Sequence, residues 1–297
     1  MTRRGWWLFA ALCVIWGIPY LLIKVAVREL TPASLVFLRT ALGTLLLLPM
    51  VLRRSGHLRG LASHWRPILA FTVCELAVPW FLLTDAERRL SSSLTGLLIA
   101  SVPLVGAALA RATGRGEPFD ARRAAGLVVG VAGVAALVGL DVGGGDAATI
   151  AEMAVVVVGY AAGPLIISRW LADLPALEVI TASLAVCAVA YAPAGLAQLP
   201  RALPSLEVVG AVVGLGVFCT AIAFLVFFRL VAEVGPVRAT VVTYVNPAVA
   251  VAAGVAILGE PLTPAIVAGF ALVLLGSFLA TRRPAHASTR SAARPAA

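Results

Sequence analysis

Glu75 poses the sharpest chemical problem in this sequence, because it stands in the middle of an apolar run, residues 67–83, between Val73 and Val78. A carboxylate in hydrocarbon costs roughly 3 kcal/mol or more unless it is protonated, paired or wetted. Two compatible readings follow. Facing a cavity, Glu75 would bind a cationic substrate or titrate as a coupling proton site, since burial penalises the charged form. Alternatively it forms a structural pair with Arg39 or Lys24 in neighbouring runs. Lys24 stands near the end of its run, where a long side chain snorkels to the interface, so position alone makes it an anchor. Arg39 lies too deep for that and is expected to be buried against protein as a lock between helices.

The aromatic residues divide into two groups. Trp6 and Trp7 adjoin Arg3 and Arg4 and read as interfacial-belt residues. Trp16, Tyr20, Trp80, Tyr160 and Tyr244 lie away from that belt. They are candidates to line a cavity for a flat or cationic ligand by stacking and cation–π contact, against the alternative of ordinary packing. Asn246, directly before Pro247, is the strongest polar candidate of the second half. Pro19, Pro79, Pro103, Pro164 and Pro247 fall inside apolar runs, where each removes one backbone hydrogen bond and creates a kink, either a hinge or a static bend.

Nothing points to catalysis. The three histidines, His57, His64 and His286, lie in polar breaks or the tail, with no HExxH, no paired intramembrane aspartates, no GxSxG and no Walker motif. Cys13, Cys74, Cys187 and Cys219 all fall inside apolar runs without CxxC or Cys/His spacing, so neither a metal site nor a cofactor is expected. An intramembrane enzyme, or a receptor or scaffold that shows no flux, are the competing function classes.

The elements that must position these side chains follow from composition. Of 297 residues only 12% are charged and 61% are hydrophobic, and mean hydropathy is +1.01. A soluble domain carries about 25% charged residues. The apolar residues come in ten bilayer-length runs, which must be helical because hydrocarbon cannot hydrogen-bond the backbone. The runs are 6–27, 32–52, 67–83, 94–110, 124–140, 151–167, 179–199, 208–228, 239–258 and 264–280. The fold class is therefore an all-α membrane protein with ten transmembrane helices. The first run is read as a retained helix rather than a signal peptide.

The net charge of +9 is a topology signal and no nucleic-acid footprint. Of 23 Lys and Arg, Arg39 lies inside a run and five (Lys24, Arg28, Arg88, Arg89 and Arg201) fall on one side, which leaves 17 on the other. The positive-inside rule then places both termini in the cytoplasm of a multi-pass protein. The Arg-rich, Lys-poor composition suggests a bacterial cytoplasmic membrane. The tail 282–297 is expected to be disordered.

A shift of 143 positions carries Pro32 onto Pro175, Gly116-Glu117-Pro118 onto Gly259-Glu260-Pro261, Gly126 onto Gly269 and Gly133 onto Gly276. The period spans five helices, an odd number, so the second copy enters the membrane in the opposite sense. Inverted repeats of this kind place a site at the seam between the halves and suit alternating access. Glu117 and Glu260 are expected to cap and shape the loops in which they sit. The glycines of 126–133 are expected to allow close helix contact.

Trp16-Gly17 with Pro19 and Lys24, then Tyr244-Val245-Asn246-Pro247, Leu258-Gly259-Glu260-Pro261-Leu262-Thr263, Gly269 and Gly276 make the chain resemble the drug/metabolite transporter superfamily, EamA type. The resemblance covers 9–139 and 150–281, one EamA repeat each. It implies ten helices around a central cavity and a secondary transporter, an exporter of amino acids, drugs or other small metabolites. It also lifts Lys24 toward the cavity reading. Glu75 is not a fixed feature of that pattern. The partners implied are a small-molecule substrate and the lipid bilayer, with a homodimer left open by the sequence.

Overall fold

Long apolar stretches bounded by Ser, Thr or Asp N-caps leave the backbone one way to satisfy itself, and every element is a helix. The structure is a computed structural model and describes residues 1–53, 58–114, 121–140, 146–235, 239 and 241–281. The helical runs form ten spans. They are α1 (Arg3–Ala26), α2 (Pro32–Leu52), α3 (Trp65–Ala86), α4 (Ser92–Ala112), α5 (Ala121–Leu140), α6 (Ala147–Leu171), α7 (Ala176–Ala197), α8 (Leu206–Val234), α9 (Val242–Leu258) and α10 (Pro264–Thr281). Among the described residues, seven are long and apolar enough to cross a bilayer, and α9 and α10 are shorter apolar helices. The expected disordered tail and Glu117 lie outside the described residues.

Side-chain caps mark several helix starts, and α4 and α6 begin at Ser92 and Ala147, a few residues before the apolar runs 94–110 and 151–167. Thr31 accepts from Ser34 N at 3.3 Å with Pro32 at the first helical position, and Ser91 accepts from Leu94 N at 3.1 Å. Asp146 does the same for Thr149 N at 2.9 Å. This pairing and the Thr149 hydroxyl hold the Asp146 carboxyl below its ordinary range.

The two halves do not fold as separate bodies. The most extensive contacts join repeat mates, α2 with α7 and α5 with α10, and α4 also packs on α9. In addition α1 packs on α8 and α9, while α6 packs on α3 and α4, the same relation with the halves exchanged. The α5–α10 pair approaches backbone to backbone where Gly126, Gly130 and Gly133 meet Gly276, Leu272 and Val273, as the small-residue spacing predicts. Residues such as Leu45, Val128, Val189 and Val267 point outward, an apolar exterior suited to lipid.

Two helices carry π-helical turns at equivalent places. The turn Thr72–Ala77 of α3, moved by 143 positions, falls on 215–220, inside the π-helical Gly214–Ile222 of α8. In each, a backbone N–H reaches five residues back, Val78 to Val73 O and Ala223 to Phe218 O. Such turns concentrate at functional sites.

Candidate functional site

The seam between the halves holds most of the charged groups that membrane-embedded helices ought to avoid. Arg39 of α2 is 7% exposed, with its guanidinium carbon 3.6 Å from the centre of the Trp80 ring on α3. Its Nε donates to Thr220 Oγ1 of α8 at 2.9 Å, and that hydroxyl in turn donates to Leu215 O at 2.8 Å, a reach of five residues set by the π turn. Arg39 therefore ties α2 to α3 and α8. Among the described residues it meets no carboxylate within ion-pair distance.

Glu75 sits on the π turn of α3. Pro79 cannot donate a hydrogen bond to the Glu75 carbonyl four residues back, and the wider π turn takes up the misfit. The carboxylate is seated against Gly163 of α6, where a Cβ would collide with Oε2. That oxygen is buried and has no hydrogen-bond partner among the described residues. The pairing with Arg39 or Lys24 is not the arrangement found: Arg39 is held by Trp80 and Thr220. Lys24 Nζ donates to the Glu87 and Leu90 carbonyls at 2.7 Å each, completing the C-terminal end of α3, where a cation suits the helix dipole.

Tyr160 of α6 is the hub, within electrostatic reach of Arg39, Glu75 and Glu87. Tyr20 of α1, 8% exposed, reaches Tyr160, Glu87 and Arg39 in the same way. The structure thus brings Arg39, Glu75, Trp80, Tyr160 and Tyr20 together, with Lys24 above them. It does not bring in Trp16, which packs in an aromatic cluster on α8, 5.0 Å from Phe227 and 6.0 Å from Phe224. Asn246 lies at the α1–α9 contact, where assigning its amide so that the nitrogen faces Val242 O (3.0 Å) and Cys13 O (3.3 Å) gives that nitrogen two acceptors. Tyr244 is half-buried on the same helix.

The prolines behave differently from one another. Pro19 follows a break at Ile18 in α1, Pro79 follows the π turn, and Pro103 follows the turn at Ala100–Ser101 in α4. These three coincide with interruptions. Pro164 and Pro247 lie in helices that continue through them.

Sequence reasoning missed the distal face, opposite the N-terminus. Glu87 is 0% exposed, and among the described residues neither carboxylate oxygen has a hydrogen-bond partner. Glu260 does not cap its own following helix. Its carboxylate accepts from Ser92 N at 2.7 Å, Ser93 N at 2.9 Å and Ser93 Oγ at 2.5 Å, which caps α4 of the other repeat. The turn is set by Gly259, whose φ of +67° lets Glu260 N reach back to Gly254 O at 3.1 Å. Arg89 joins Asp85 at 2.9 Å, Glu152 at 2.5 Å and Thr149 at 2.6 Å. Glu29 accepts from Ser205 N at 2.9 Å. Arg89 with Glu152 and Thr149, Glu29 with Ser205, and Glu260 with Ser92 and Ser93 each join the two repeats, so this face is closed. A Gly-Glu-Pro before a helix suggests local capping, and nothing in the local sequence points to a partner 167 residues away.

The family model for the EamA-like transporter family matches residues 3–139 and 149–282. An uncharacterized transporter of Archaeoglobus fulgidus is 38% identical over 74 residues, 25% of this chain and 27% of that protein. The shared stretch is thus about a quarter of that relative's length. A solved crystal structure of a protein 22% identical superposes with a TM-score of 0.65 over 95% of this chain and 97% of that one, and shares the fold.

Proposed function

Because the chain belongs to the EamA-like transporter family, we propose that this membrane transporter is a secondary active exporter of small metabolites, amino acids or drugs, working by alternating access and coupled to protons. Residues 9–139 and 150–281 act as the two rocking units, with both termini in the cytoplasm of a bacterial cell membrane. The observation that carries this reading is the separation of charges at the seam. Arg39 is buried without a carboxylate, and Glu75 has a buried oxygen without a donor. A buried charge lacking its counter-charge is costly. A substrate that brings an anionic group to Arg39 and a cationic group to Glu75, as an amino acid does, relieves both, and a proton on Glu75 serves when the substrate has left. The Trp80, Tyr160 and Tyr20 rings beside them favour a flat apolar portion.

The test is flux from proteoliposomes loaded with a panel of amino acids and cationic dyes, with and without a proton gradient. Export that accelerates with an opposing gradient, and loses that acceleration in Glu75→Gln, supports the proposal. Gradient-independent flux in both proteins removes the coupling role. Absence of flux for the whole panel counts against this substrate class.

A further inference from the structure

Glu87 is a second buried acid, separate from Glu75, at the distal end of the seam. It is fully buried, and among the described residues both oxygens lack donors and it makes no ion pair. The nearest cation, Lys24, has its ammonium directed to the backbone carbonyls of Glu87 and Leu90 rather than to the carboxylate. The other titratable or charged groups facing it are Tyr20 from α1, Arg39 from α2, Tyr160 from α6 and Glu260 from the turn after α9. Directly above it, Glu260 and Arg89 sew the two repeats together.

An ionised carboxylate sealed under that lid would lack both water and donors, whereas a neutral carboxyl group loses far less on burial. We propose that Glu87 is a proton-binding site of the distal gate: closing the distal face buries the group as COOH, and opening it returns the proton to bulk water. The proton adds to a Glu87 carboxylate oxygen on closure and leaves from it on opening, with no other bond changed. This deepens the alternating-access reading and rests on it for its place in a cycle.

Linkage fixes the size and sign of the effect. If closure takes up one proton, the ratio of open to closed states rises by up to about tenfold per pH unit on the alkaline side. Glu260 acts with the opposite sign, since its latch is lost when it is protonated. Opening that grows with pH therefore belongs to Glu87, and opening that grows with acid belongs to Glu260.

Two measurements need neither substrate nor gradient, so they stand apart from failure of the flux assay. The first is the infrared stretching band of a protonated carboxyl group in the full-length protein at neutral pH. A component of that band is lost in Glu87→Gln and kept in Glu75→Gln and Glu260→Gln. The second places a cysteine at Thr95, which is fully buried one turn below the latch, in a chain with its four native cysteines replaced by alanine. Its reaction with a membrane-impermeant maleimide added to the distal side, divided at each pH by the rate of the same cysteine in the denatured chain to remove thiolate formation, rises with pH in the parent, stays low and flat in Glu87→Gln, and recovers its pH dependence in Glu87→Asp. The same slope in parent and Glu87→Gln, or an unchanged band, overturns the proposal.

Discussion

The Arg39 guanidinium carbon stands 3.6 Å from the centre of the Trp80 ring, while its Nε donates at 2.9 Å to Thr220 of the opposite repeat. The charge is thereby spread over a π face and fixed in direction without being neutralised. A group so held is available to a substrate anion, and it couples the positions of α2, α3 and α8.

Planarity is what this arrangement uses, so Arg39→Lys keeps the charge and loses both the stack and the Nε bond. Flux in proteoliposomes should fall at least about tenfold, the equivalent of one 1.4 kcal/mol interaction. Trp80→Phe should cost less than Trp80→Leu in thermal stability, because a weaker π face remains, with cation–π contacts of this kind contributing about 0.5–2 kcal/mol. Equal losses in the two Trp80 variants would contradict the stacked geometry.

At Gly163, any side chain meets the Glu75 carboxylate. Gly163→Ala should displace that group and reduce proton-dependent flux, whereas in a Glu75→Ala background the same change should be nearly silent. A double-mutant cycle on flux and melting temperature measures the difference. Additive effects would mean that the two residues do not share the space.

Pro79→Ala restores the N–H that Pro79 lacks opposite the Glu75 carbonyl four residues back. The turn should then tighten toward regular α geometry and swing Glu75 off its seat. Melting temperature should hold or rise while flux falls. A fall in both would assign Pro79 to stability alone.

The Glu260 latch makes a pH prediction with a definite sign. Burial pushes its carboxyl up, but the donors of Ser93 and Ser92 outweigh this and leave it below its ordinary value. A depressed folded-state pKa stabilises the closed form above the unfolded value, about 4.3, and this is lost as pH falls through the folded value. Glu260→Gln should therefore flatten the acid limb of the stability curve and lower melting temperature at neutral pH. Glu260→Ala should lose about 1–3 kcal/mol there. An acid limb identical in parent and variant would show that the latch does not titrate.

What could be read in advance was whatever depends on residues close in sequence. The run Pro32–Leu52 is a helix with the bounds that its apolar stretch suggests, and Thr31, Ser91 and Asp146 cap the helices that follow them, because a helix and its caps are satisfied within a few residues. The period of 143 named the repeat, and in three dimensions it pairs α2 with α7 and α5 with α10. Glu75 stood out because a carboxylate in an apolar run is anomalous whatever surrounds it.

The tertiary structure decided which polar groups meet. Nothing in the local sequence sets Glu87 apart from Arg88 and Arg89 beside it. It is twelve residues from Glu75, three turns once the extra residue of the π turn is removed, and only the packing of α1 and α6 and the turn after α9 shows that it is sealed. Asn246 and Trp16 have the chemistry of cavity residues, yet their neighbours on α1 and α8 use it for helix contacts. Hydrophobic length is a sum over local residues and survives in the sequence. Charge pairing depends on distances between helices far apart in sequence, 63 residues for Arg89 and Glu152 and 181 for Arg39 and Thr220, and those are set only when the two repeats pack.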